Sequence, residues 1–238
     1  IRYPPNPNQP LDRSMSREEQ AGFDFFNGPF LSDGGAVNCA SCHKLPLGTD
    51  RLVNFEHVQI GRDMKTAHLR NLYQKVGRFN VAGPQVTGYG LIHDGSMDTI
   101  INFLRLDAFI FPGKTEEEKD ATRRLVNSYI MAFDTGMAPA VGRQVTVSDQ
   151  LAAEDRQLID LLMTRAAAGD CDLTARAWEG AVLRGWLYRN DGFHSNRSDE
   201  IPLEPEMLLD RYRRIGEPVT FTCVPPGDGL RSALDRDL

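Results

Sequence analysis

The chain has 238 residues, 41% of them hydrophobic and 25% charged, which suits one globular domain or two small ones and excludes a coiled coil, a collagen-like fibre and a disordered tail. A net charge of -6, from 27 basic and 33 acidic residues with no long basic run, argues against a nucleic-acid partner. No run of about 20 apolar residues exists, so no membrane span and a soluble protein are expected.

Residues 1–15 contain four prolines and two asparagines without apolar periodicity, and read as an extended N-terminal arm. The chain starts at Ile1 with no leader in view, as expected of a processed product whose gene encodes something upstream. Ser16-Arg17-Glu18-Glu19 is a capping box, and the spacing predicts an amphipathic helix with Gly22, Phe25 and Phe26 that ends at Gly28. Cys39-Ala40-Ser41-Cys42-His43 follows a loop with Gly34-Gly35 and has the C-x-x-C-H pattern of covalent haem attachment. Two thiols three positions apart on one helical turn can both add to haem vinyl groups, and the next residue offers an imidazole to the iron. A redox dithiol would want a βαβ context, whereas Lys44-Leu45-Pro46-Leu47-Gly48 is a loop; zinc would need a second ligand pair.

Irregular chain is expected to about Asp63, then a helix over 66–76 carrying Leu69, Leu72, Tyr73 and Val76, and another after Ser96. Thr115-Glu116-Glu117-Glu118 opens the clearest helix, running through Leu125, Val126, Tyr129, Ile130 and Phe133 to Gly136. The expected fold is therefore mainly α: a cytochrome c-like helical haem domain over 16–142, with Gly22 at a close helix crossing filled by Tyr129 or Phe133. Residues 143–238 are expected to hold one helix, 149–168, and a small α/β or β appendix with Trp186-Leu187-Tyr188, a turn at Asn190-Asp191-Gly192 and a strand over 218–223.

One C-x-x-C-H implies one haem c. Haem c is attached outside the bacterial cytoplasm, so a periplasmic or extracellular location is expected. In that compartment Cys171 and Cys223, the two remaining thiols, are expected to form a disulfide.

Three segments in order carry a resemblance: Cys39 to His43, then Lys65-Thr66-Ala67-His68-Leu69-Arg70-Asn71, then His93-Asp94-Gly95-Ser96-Met97-Asp98-Thr99-Ile100. Over residues 16–135 the chain resembles the haem domains of bacterial dihaem cytochrome c peroxidases and MauG enzymes. It departs from them at Ala67 and His68, in a longer stretch from Tyr73 to Gly90, and in having one haem motif. The resemblance implies that His43 is the proximal ligand, with its Nδ1 held by a carbonyl of the Leu45 to Gly48 loop. It also implies that Arg70 meets a haem propionate and that His93 lies near the haem edge. It would put the sixth ligand at Asp107, a poor donor to haem iron, so that assignment does not carry over.

Met64 is the first choice for the sixth ligand, because it stands in a polar loop without apolar partners just before the Arg70 segment; His68, Met97, Met131, Met137 and an open site are the alternatives. The expected function is electron transfer in an extracytoplasmic c-type cytochrome. The alternative is a haem subunit of a peroxidase or oxygenase with an open axial site. A redox protein or another haem subunit is the expected partner, with the arm and the appendix available for assembly.

Overall fold

A computed structural model describes residues 3–28, 35–54, 63–77, 88–92, 94–148 and 150–234. The chain divides into two compact units, one of residues 1–10 and 14–136, the other of 11–13 and 137–238.

In the first unit, α1 (Arg17–Phe26) and α4 (Glu116–Met131) both start at the capping boxes seen in the sequence. Gly22 lies where they cross. A Cβ there would stand 2.0 Å from the Leu125 carbonyl oxygen and 3.0 Å from the Tyr129 Cβ, so a side chain would drive the helices apart. Tyr129 fills the crossing with its ring against Phe23, Phe26 and Phe133. Between these helices in sequence come α2 (Cys39–Cys42), the paired strands β1 (Val53–Asn54) and β2 (Met64–Lys65), a 3-10 turn (Leu72–Gln74) and α3 (Ile100–Phe103). Among the described residues no helix is long and apolar enough to cross a membrane.

The helix expected over 66–76 is replaced by extended chain and the one 3-10 turn. Leu69, Leu72 and Tyr73 are buried as their apolar character demands, but Thr66 to His68 are drawn out against the loop after His43 instead of coiling. The helix after Ser96 is a single turn, capped by the Thr99 side chain, which accepts from the Asn102 amide at 3.1 Å.

Asp120, on the inner side of α4, accepts hydrogen bonds from Arg105 and Arg123. Those bonds hold its carboxyl well below the usual carboxylate range, Arg105 contributing first. A carboxyl depressed in the folded state stabilises the fold above its unfolded value, about pH 4, and loses that contribution as pH falls below it. Asp120→Asn is therefore expected to lower the urea midpoint of the helical unit at pH 7 and to flatten its fall between pH 5 and pH 3. A fall as steep as in the parent would remove Asp120 as its source.

The second unit corrects the mainly α expectation for the chain. It is built on a five-strand antiparallel sheet in the order β3-β7-β4-β5-β6. The strands are β3 (Gln144–Val147), β4 (Asp172–Glu179), β5 (Val182–Arg189), β6 (Gly192–Ser195) and β7 (Val219–Val224). The whole protein is mixed α and β, not a mainly α cytochrome fold. On one face, Val145, Leu173, Ala175, Trp186, Phe193 and Phe221 pack with Ile159 and Leu162 of α5 (Ala153–Ala167) and Leu208 and Tyr212 of α6 (Pro205–Ile215).

Two elements here had weak signals. In β4 the inward positions include Ala175 and Ala177, whose alternation is genuine but whose strand propensity is low. Helix α6 is punctuated by Pro205 in its first turn and Gly216 in the left-handed conformation just past its end, which is the ordinary proline and glycine asymmetry of helices.

Cys171 and Cys223 form a disulfide with Cα atoms 5.4 Å apart. Leu173 pairs with Cys223 across β4 and β7, so the bond runs diagonally between neighbouring strands.

Candidate haem-attachment site

The site starts from one turn of helix. Asn38 caps α2: its Oδ1 accepts from the Ser41 amide at 2.9 Å and from Ser41 Oγ at 2.8 Å. Its Nδ2 donates to the Gly28 carbonyl at 2.9 Å, which ties the turn to the end of α1. Cys39 and Cys42 are three positions apart on this turn and so share a face. The His43 amide donates to the Cys39 carbonyl at 2.9 Å and closes it.

Burial pushes the Cys39 thiol up to about 11. The Cys42 thiol is raised too, first by burial and then by Asp50, against Lys44. Both sulfurs are therefore neutral thiols at pH 7, whereas a redox dithiol of this spacing works through a thiolate held at depressed pKa. Among the described residues, no group of three or more His, Cys, Asp or Glu could hold a metal ion.

His43 Nδ1 lies 2.8 Å from the Gly48 carbonyl oxygen. A carbonyl only accepts, so Nδ1 carries the proton and Nε2 keeps the lone pair that an iron would take. Burial lowers the His43 pKa, opposed by the Gly48 and Ala67 carbonyls and by Asp50, and this favours the neutral, ligating imidazole. Phe26 of α1 stands against the imidazole with ring centres 6.4 Å apart.

Gly48 has a second duty. Its φ is +67°, and a Cβ there would come within 2.7 Å of the Leu69 Cβ, so the loop and the Arg70 segment approach closely only because this residue has no side chain. Thr49 Oγ1 donates to the Thr66 carbonyl at 2.7 Å, and the Thr66 amide donates to the Leu52 carbonyl at 3.0 Å. These bonds hold the extended 64–70 segment along the loop. Between them lies a cavity of about 410 Å³ whose lining includes Arg51, Lys65, His68 and Arg70 and no carboxylate.

Cys39, Cys42 and His43 thus converge on one turn, and Arg70 lines the adjoining cavity. Met64 is half-buried on β2, paired through its backbone with Asn54, immediately before the cavity residue Lys65. His68 lines the cavity as well. His93 and His57 lie outside the described residues.

Sequence reasoning missed Asn38, Arg51, Lys65 and Tyr3. Asn38 and Ser41 are a legible capping pattern, whereas Arg51, Lys65 and Arg70 are spread over 19 positions in sequence and only the fold brings them to one cavity. Tyr3 meets His68 across 65 positions and has no local signal.

The group implied by C-x-x-C-H fits these residues. Two neutral thiols on one face suit two vinyl groups, a tautomer-fixed imidazole suits the iron, and three cations beside the loop suit two carboxylates. Comparison with known protein families, curated proteins and solved structures finds no match to this chain.

Proposed function

We propose that this chain is an extracytoplasmic c-type cytochrome that passes single electrons through one haem c held by Cys39, Cys42 and His43. The observation that carries the reading is C-x-x-C-H on a capped helical turn, with His43 Nδ1 held 2.8 Å from the Gly48 carbonyl so that Nε2 is presented as a lone pair. When bound, the haem supplies reversible one-electron iron chemistry.

The residues of the chain hold and tune it. Cys39 and Cys42 would hold it by adding across its two vinyl double bonds, sulfur to one carbon and hydrogen to the other, an addition that would consume no oxidant. The Gly48 carbonyl orients His43 and raises its basicity as a ligand. Arg51, Lys65 and Arg70 take the propionates, and their positive charge favours the reduced state. Met64 is the proposed second axial ligand. Fixed ligation on both faces keeps reorganisation small, which suits a carrier. In the dihaem peroxidases that the sequence resembles, a second haem stores an electron equivalent for peroxide reduction, and this sequence carries one C-x-x-C-H. The partner is then a redox protein or another haem subunit.

The disulfide between Cys171 and Cys223 supports an oxidising compartment, periplasmic or extracellular. Mass spectrometry of the denatured protein, matured in a host that attaches haem c, is expected to show the mass of the chain plus one haem. Loss of all haem on acid-acetone extraction would overturn the reading.

A further inference from the structure

We infer that Tyr3, on the N-terminal arm, is a positioning residue of the haem site, holding His68 and Arg70 in the cavity wall beside the attachment loop. The inference rests on the haem reading above. The arm is not a loose tether. Asn6 is 1% exposed, and its Nδ2 donates to the carbonyls of Met131 at 2.8 Å and Phe133 at 3.0 Å. Helix ends leave carbonyls without helical partners, and here a buried amide takes two of them. Asn8 Nδ2 donates to the Met131 carbonyl as well, at 3.0 Å, while the Asn8 amide donates to Asn6 Oδ1. Asn6 and Asn8 therefore pin the arm to the end of α4.

Tyr3 is delivered to the cavity by that anchor. Its hydroxyl and His68 Nε2 share a hydrogen bond of 2.9 Å, with ring centres 5.2 Å apart. The Arg70 guanidinium lies over the face of the same ring, 4.9 Å from its centre. One tyrosine thus orients both residues. Two further polar atoms of the pair, His68 Nδ1 and Arg70 Nε, are buried without a hydrogen-bond partner among the described residues. Buried polar atoms left unmatched are rare and point to a group still to be accommodated.

The chemical consequence follows from Nε2. A neutral imidazole with a free lone pair binds haem iron strongly, and the Tyr3 hydroxyl occupies that nitrogen, so His68 serves as cavity wall and does not compete for the axial position. Stacking on the ring keeps the Arg70 charge beside the haem.

The test is a mutant cycle on the full-length holoprotein. Tyr3→Phe keeps the ring under Arg70 and removes the hydroxyl alone. Its ferric electronic and paramagnetic resonance spectra are expected to show a bis-histidine low-spin species increased about fivefold over the parent, the equivalent of one net hydrogen bond. Adding His68→Gln to Tyr3→Phe is expected to abolish that species. Tyr3→Leu, which also removes the ring, is expected to lower the midpoint potential further than Tyr3→Phe. A haem-bearing parent whose spectrum is unchanged in Tyr3→Phe, or a change that persists in the double variant, would overturn the assignment. A parent without covalent haem would overturn the haem reading itself, and this is known before any variant is made.

Discussion

Replacing Cys171 and Cys223 together with alanine is expected to lower the unfolding free energy of the sheet unit by about 4 kcal/mol. The bond joins residues 52 positions apart, and closing a loop of that length removes about that much chain entropy from the unfolded state. Both side chains are buried, so alanine is the cleaner replacement; serine would add the cost of an unsatisfied hydroxyl in the core. The chain has two tryptophans, Trp178 half-exposed on β4 and Trp186 fully buried on β5, both in this unit. Their fluorescence in urea therefore follows the sheet unit separately from the helical unit. Thiol titration of the unfolded, unreduced holoprotein is expected to find no reactive cysteine, Cys171 and Cys223 being joined in the disulfide and Cys39 and Cys42 taken by the proposed haem. Equal urea midpoints with and without reductant would remove the disulfide as a source of stability.

Local rules were legible where the chain obeys them within one turn. Ser16 with Glu19 and Thr115 with Glu118 start α1 and α4 as capping boxes, and Gly22 marks the crossing because close helix approach needs a missing Cβ. C-x-x-C-H is local in the same way, since Cys39 and Cys42 fall on the single turn of α2. The sheet was not, and the mainly α reading failed with it. Strands β4 and β7 pair residues about 50 positions apart, and the inward alanines of β4 are poor strand formers, so only the tertiary pairing makes that segment a strand. The 66–76 segment failed differently. Its apolar spacing fits a helix, but bonding of Thr66 to the loop after His43 and the approach of Leu69 to Gly48 override the local pattern. The cavity wall combines both cases, with Arg70 found through a motif and Tyr3 reachable only through the fold.

The sixth ligand decides between carrier and catalyst, and Met64→Ala is expected to change the state of the haem outright. A methionine sulfur on ferric haem gives a charge-transfer band that no other side chain reproduces, and removing the ligating sulfur abolishes it. Met64 is half-buried at the end of a two-residue strand, one position before Lys65 and six before Arg70, both in the cavity wall. Strand β2 and the Thr66 hydrogen bonds fix the backbone at this point, so the substitution truncates a side chain without releasing the segment that carries Lys65 and Arg70. The parent is expected to be six-coordinate and low-spin, to exclude carbon monoxide at low concentration, and to keep the band. Met64→Ala is expected to lose the band, bind carbon monoxide readily and fall in midpoint potential, because a thioether ligand favours the ferrous state. A variant with the parent's spectrum would move the ligand away from Met64. A parent that already binds carbon monoxide readily would make the open-site reading, a haem subunit acting on peroxide or oxygen, the better account of the same residues.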